Sequence, residues 1–200
     1  MKDIEDYIPF IKKVLNKYSP VSDANVSLIA SISEIKHLEK GEMLLEIGKT
    51  SKQKHILYKG VIVSYYISDE GNLYHKNIFL KENFVGSMVS ALINEPSNFA
   101  LEAIEPCILI SFDYKQYRQL IEEHIELKDF YIAYLEKNWV LDKEKREINI
   151  VLKDAEERYL DFIHAHPKIE ERVPLHYIAS NLGITPTQLS RIRKKIKKHT

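Results

Sequence analysis

The sequence holds a single cysteine, Cys107. One thiol per chain excludes a disulfide framework, a CxxC redox pair and a Cys-ligated iron–sulfur site. Its setting, Cys107-Ile108-Leu109-Ile110, is that of a buried and inert thiol. Net charge is also missing, since 29 Lys and Arg balance 29 Asp and Glu. No stretch reaches the length of a membrane span. The opening Met1-Lys2-Asp3-Ile4-Glu5-Asp6 is too acidic for a secretory signal and lacks its apolar core. Internal repeats and low-complexity tracts are lacking as well. What remains is an ordinary globular protein, 44% apolar, with core enough to fold. It is expected to be cytoplasmic and to have no dealings with a membrane.

The zero charge hides an asymmetry. Residues 151–200 carry ten Lys and Arg against six Asp and Glu, a balance of +4 that leaves −4 for the rest. A basic tail behind an acidic body suits a chain that meets a polyanion with one end only; a solvated charged helix is the alternative.

Apolar residues at Ile4, Ile8, Ile11, Val14, Leu15 and Tyr18 have helical spacing, and Ser19-Pro20 stops that helix. A short second helix is expected from Asp23 to Ile32. From Glu34 to Phe112 the texture changes to short strand-like runs: Ile35–Leu38, Met43–Glu46, Ile56–Tyr58, Val61–Ile67, Tyr74–Leu80, Phe99–Ile104 and Ile108–Phe112. Five of the six glycines punctuate this segment, which favours a small rolled or closed β-architecture. One helical interruption is expected from Ser87, a candidate cap, to Asn94, with Pro96 ending it. Asp113 caps a following helix over 114–123. The stretch from Glu126 to Leu152 then repeats every seven residues, with Leu127, Tyr134, Leu141 and Ile148 in one row and Tyr131, Asn138, Lys145 and Leu152 in its companion. A stripe on this spacing reads as a dimer seam, in which a lone Asn can fix register. A helix merely packed on the barrel is the alternative, but such a helix would be roughly 40 Å long, longer than the contact a small barrel offers.

Three further helical stretches, 154–165, 175–182 and 186–198, are separated by His166-Pro167 and Val173-Pro174. The last two have the parts of a helix-turn-helix. Ala179 is small where two steeply crossed helices touch, and Gly183 tolerates the left-handed backbone of the turn. Ile178, Leu182, Ile184, Leu189 and Ile192 supply a shared core. Thr185 is placed as N-cap, Pro186 as first helical residue and Gln188 as the reciprocal member of a capping box. With about 100° per residue, Leu189, Ile192 and Ile196 point inward, and Thr187, Ser190, Arg191, Lys194 and Lys198 face away. Thr187, Ser190 and Arg191 are expected to read base edges, with Arg191 suited to a bidentate guanine contact. Thr185 and Gln188 stand at the edge of this face, where Gln188 either reads a base or only caps. Arg193, Lys194, Lys195, Lys197 and Lys198 are expected to neutralise phosphate, about half of them to effect.

Gly41-Glu42, Gly48, Tyr58-Lys59-Gly60, Phe84-Val85-Gly86, Phe112, the Ala155–Leu160 block and the run from Val173 to Ile196 together resemble the Crp/Fnr family of regulators, in its Bacteroidetes-type branch. The resemblance implies an α+β fold: a cyclic-nucleotide-binding-like β-roll of jelly-roll type with flanking helices over 1–125, a dimerisation helix over 126–152, and a helix-turn-helix DNA-binding domain over 153–200. It implies a non-enzymatic transcription regulator that binds double-stranded DNA as a homodimer, with RNA polymerase as a further partner. It places an effector near Gly86, Ser87, Met88, Ser97 and Asn98.

Two departures qualify the resemblance. Members that bind cyclic AMP carry Gly-Glu at the start of the phosphate cassette and Arg-Ser near its end. Here those positions hold Ser87, Ser97 and Asn98, and no Lys or Arg occurs from Phe84 to Glu105. A buried phosphate without a cationic partner is disfavoured, though N–H groups at the start of the Ser87 helix could help. Cyclic AMP is therefore not expected to bind in the usual way, and no cofactor is assigned. The chain also stops after the recognition helix, so a full β-hairpin wing is not expected, and the cysteines of the oxygen-sensing branch are missing. A ligand-binding or scaffold module without DNA binding is the alternative function. A metal enzyme would need His37, His55 and His75 to converge inside the barrel, yet none of them forms a His-x-His pair on one strand.

Overall fold

The computed structural model describes residues 3–199, with side chains to Lys197. A 3-10 turn over Ile4–Tyr7 leads into α1 (Ile8–Leu15) and α2 (Asp23–Ser31). The single helix expected over 4–18 is therefore shorter and broken at its start. Pro9 sits in its first turn, where a missing N–H costs nothing.

Eight strands follow: β1 (Ser33–Leu38), β2 (Met43–Leu45), β3 (Gln53–Lys59), β4 (Ile62–Ile67), β5 (Leu73–Phe79), β6 (Phe84–Val85), β7 (Ala100–Ala103) and β8 (Cys107–Asp113). They form two antiparallel four-stranded sheets, ordered β1-β8-β3-β6 and β2-β7-β4-β5. Pairing first strands with last winds the chain as a jelly roll. The two-residue β6 was not legible as a run of its own.

Alternation along the strands explains why three cores exist. On β3 and β8, Leu57 and Leu109 face the roll interior with Leu38, Ile62, Leu101 and Cys107. Their neighbours Ile56, Ile110 and Phe112 face outward and join a helical layer of α1, α2, α4 (Tyr114–Glu123) and α5 (Ile125–Leu135). At the start of β4, Ile62 points in while Val63 and the preceding Val61 lie under a third cluster made with α7 (Ala155–Ala165), α8 (Leu175–Asn181) and α9 (Pro186–His199). Period-two strands clad on both faces give this outcome. Gly60 adopts φ +105° between β3 and β4, and a side chain there would collide with Cys107.

Helix α3 (Met88–Ile93) interrupts the roll near the expected place. Its ends correct the sequence reading. Ser87 occupies the N-cap position without capping, because its buried hydroxyl lies 3.0 Å from that of Ser97. The helix stops at Asn94, in left-handed geometry at φ 55°, two residues before Pro96. Asp113 does cap α4, accepting from the Gln116 N–H at 3.0 Å.

The uninterrupted seam expected from 126 to 152 is the larger correction. Residues Glu136–Leu141 wind with the wider π geometry between α5 and α6 (Asp142–Leu152). A π turn takes up one extra residue and so rotates everything after it by roughly 100°. Leu127, Tyr131 and Tyr134 are buried in the helical layer, whereas Leu141, Ile148, Val151 and Leu152 stand in solvent, the last two at 81% and 75%. The two halves of the heptad row do not share a face.

The β5 edge of the second sheet is covered by α8. Ser180 Oγ accepts from the His75 N–H at 2.8 Å, and Asn181 donates to the Lys76 carbonyl at 2.9 Å. An otherwise open strand edge is thereby closed.

Candidate nucleic-acid interface and candidate ligand cavity

The C-terminal helices are assembled from local signals. Asp154 and Glu157 form a reciprocal capping box at the start of α7, with both bonds at 2.9 Å. Tyr159 of that helix is buried and donates to Glu170 at 2.8 Å; burial and that carboxylate push its phenol up to about 12. Ile169, Val173, Ile178, Ala179 and Leu189 complete the small core, with Leu182, Ile184, Ile192 and Ile196 packed against it. Gly183 turns the chain at φ +69°. Thr185 Oγ1 accepts from the Gln188 N–H at 3.1 Å, and Gln188 Oε1 accepts from the Thr185 N–H at 2.9 Å. Gln188 is thus engaged as a cap.

With Leu189 fully buried beneath it, α9 leaves Thr187, Ser190, Arg191, Lys194 and Lys197 exposed on its outer side. Arg191 and Lys194 make no ion pair among the described residues. Two other cations are placed differently from the sequence reading. Arg193 Nε pairs with Glu170 at 2.8 Å and Lys195 Nζ with Glu156 at 2.6 Å, the latter contact raising the Lys195 pKa. Both side chains lie against α7 and its following turn. The acidic partners come from 23 and 39 residues earlier in the chain, respectively, so no local pattern announces them. The side chain of Lys198 lies outside the described residues.

A second feature lies beside α3. A cavity of about 460 Å³ opens between α3, β3, β5 and the π turn with α6. Of the five effector positions expected from sequence, Gly86, Ser87 and Met88 line it. Ser97 is buried behind Ser87, within 2.8 Å of the Phe99 carbonyl, and Asn98 is exposed; neither reaches the cavity wall. The residues missed are basic: Lys54, Lys76, Lys143 and Arg146 all contribute to the lining, with Asp142 as the one carboxylate.

Lys54 has no hydrogen-bond partner for its ammonium. The rings of Tyr134, Phe84, Tyr117 and Tyr131 surround it, their centroids 4.1, 4.7, 5.2 and 5.9 Å from Nζ. Desolvation first, and the Arg118 charge second, lower its pKa to about 7. Nothing in Gln53-Lys54-His55 marks the lysine as buried, since these residues of β3 precede the apolar run 56–58 by which the strand is recognised. His55 beside it is buried against Ser111 at 2.7 Å, and desolvation pushes its pKa down to about 3. Cys107 is likewise buried, its thiol pushed up to about 11. Among the described residues, no three His, Cys, Asp or Glu side chains are grouped to hold a metal, and no helix is long and apolar enough to cross a membrane.

Residues 35–124 match the family model of the cyclic nucleotide-binding domain. The roll has that domain's fold. Solved structures extend the likeness over most of the chain. The c-di-GMP-responsive global regulator CLP of Xanthomonas campestris is 16% identical at a TM-score of 0.67, covering 89% of this chain and 93% of that one. FixK2 of Bradyrhizobium japonicum is 14% identical, also at 0.67, with 84% and 86% covered. A protein described as a Crp/Fnr-family transcriptional regulator from Eubacterium rectale is 18% identical at 0.64, with 90% and 85% covered. At these identities the likeness is one of fold. No curated protein sequence matches the chain.

Proposed function

We propose that the chain is a sequence-specific DNA-binding transcription regulator, acting in the cytoplasm as a homodimer. Residues 1–125 form its sensor, 126–152 its dimerisation helix and 153–200 its DNA-binding domain. One observation carries the reading. The outer face of α9, with Thr187, Ser190, Arg191 and Lys194, stands clear of the roll and of its neighbouring helices, behind a glycine turn and a closed capping box. A helix held this way can enter a major groove with its N-terminal residues at base edges. Structural neighbours that are regulators support it.

The geometry refines the roles. Arg191, Ser190 and Thr187 read bases, Lys194 and Lys197 meet phosphate, and Gln188, Arg193 and Lys195 hold the recognition helix in place. The exposed apolar residues of α6 form the dimer contact, which sets two recognition helices against the halves of a palindromic operator. RNA polymerase is a further partner in this reading.

Selection from random duplex DNA, followed by gel shifts, tests it. The selected sites should be palindromic. Arg191→Ala should cost about 1–3 kcal/mol at a single base position. Lys194→Ala should weaken all sequences alike and reduce the salt slope by about one. Absence of salt-sensitive binding to any duplex would leave a ligand-binding or scaffold module in its place.

A further inference from the structure

The cavity beside α3 has its positive charge on the wall opposite that helix. The α3 segment offers no Lys or Arg between Phe84 and Glu105, and its inward hydroxyls, Ser87 and Ser97, bond to each other. The cations come instead from β3, β5 and α6. Lys54 is the only buried lysine among the described residues and is 5% exposed. An ammonium placed among rings gains cation–π attraction. That offsets only part of the hydration lost on leaving water. Among the described residues no carboxylate pairs with Lys54, and Asp142 of the cavity lining already pairs with Lys137 at 2.8 Å. Arg146 makes no ion pair among the described residues.

We propose that this cavity binds an organic monoanion, such as an aromatic or aliphatic carboxylate, whose charged end pairs with Lys54 and whose apolar body lies against Phe84, Tyr134 and Trp139. A cavity of about 460 Å³ falls in the range of small-molecule sites. A single buried amine matches the two oxygens of a carboxylate better than the several of a phosphate monoester dianion. The inference rests on reading the roll as a sensor, and it names the class of effector sensed.

Charge and proton would move together. The groups facing Lys54 are Tyr114, Tyr117 and Arg118 of α4 and Tyr131 and Tyr134 of α5. Burial raises the phenols of Tyr114, Tyr117 and Tyr134 above their ordinary range, Tyr114 to about 12, so Lys54 is the group that changes charge near neutrality. An anion favours the ammonium form, so binding takes up a proton and weakens as pH rises.

Two fluorescent probes with one skeleton test this on the full chain: 8-anilinonaphthalene-1-sulfonate, which is anionic, and N-phenyl-1-naphthylamine, which is neutral. The sulfonate should bind once per protomer and at least about tenfold more tightly than the neutral probe, the scale of a charge-assisted hydrogen bond. Lys54→Met should remove that preference while leaving the neutral probe within about twofold, because the apolar wall is intact. Sulfonate affinity should fall from pH 6 to 9 in the natural protein and stay flat in the variant. Equal affinity of the two probes, or a sulfonate affinity that K54M does not change, overturns the proposal. Should K54M fail to fold by circular dichroism, K76A/R146A is read instead: a several-fold loss for the sulfonate alone supports the proposal, and no change overturns it. The assay reads the cavity without DNA. Anion binding without operator binding would therefore retire the regulator and keep the site.

Discussion

Helices α5 and α6 continue one heptad pattern and meet opposite fates. In α5, Leu127 and Phe130 are completely buried against the roll's helical coat, with Tyr131 and Tyr134 nearly so. In α6 no residue is buried, and Leu141, Ile148, Ile150, Val151 and Leu152 are exposed. The π turn between them changes the phase, so the same spacing serves an internal core first and an open surface afterwards. In the proposed reading this open apolar face is the dimer contact. A seven-residue repeat thus states that a helix has an apolar side; it does not state whose core that side joins.

The contrast can be broken most directly on its open half. Leu141→Glu with Ile148→Glu should convert the dimer to a monomer in sedimentation equilibrium and lower operator affinity by two orders of magnitude or more, since each half-site alone is weak. Thermal unfolding of the dissociated monomer should stay cooperative. A double variant that remains dimeric would move the seam elsewhere.

On the closed half the expected damage is of another kind. Leu127→Ala should cost about 2–5 kcal/mol in urea unfolding, the range for an emptied aliphatic site, and leave the folded protein dimeric. Loss of the dimer without loss of stability would mean that α5, too, faces a partner.

Lys54 sharpens the comparison from the cavity side, because its ammonium touches Tyr134 of α5. Its pKa is lowered to about 7 in the folded chain from 10.5, so between those values the unfolded chain binds more protons and stability must rise with pH. Relative to K54M, the natural protein should gain about 2 kcal/mol between pH 7 and 9, measured as the difference between urea unfolding free energies. Parallel pH profiles would show that the amine reaches water.

The smallest effect concerns the capping box. Thr185→Ala should cost about 1 kcal/mol and speed amide hydrogen exchange in the first turn of α9, with the roll unaffected. Unchanged exchange there would mean that packing of Leu189 alone orders the helix start.

Much of this architecture was legible because its signals are local. Seven of the eight strands follow from β-rich runs between turns, and β6 escaped because two residues show no period. The Thr185–Gln188 and Asp113 caps were readable from residue type and spacing, since each bond closes within one helical turn. Ser87 carries the same signal and does not cap, because a residue ten positions away takes its hydroxyl. Arg193 and Lys195 read as phosphate contacts until Glu170 and Glu156 are seen beside them. The Ser87 hydroxyl, Arg193 and Lys195 each have a partner distant in sequence.

By itself, then, the sequence determined the periods: alternating strands, amphipathic helices, a glycine turn, and a basic last helix with one inward apolar row. Those follow from backbone geometry and side-chain type within a few residues. Only the tertiary structure decided which face of each element became interior, where the helical phase slipped, and that one lysine would be enclosed by aromatic rings. Burial is a property of what packs against a residue, and those neighbours are drawn from the whole chain.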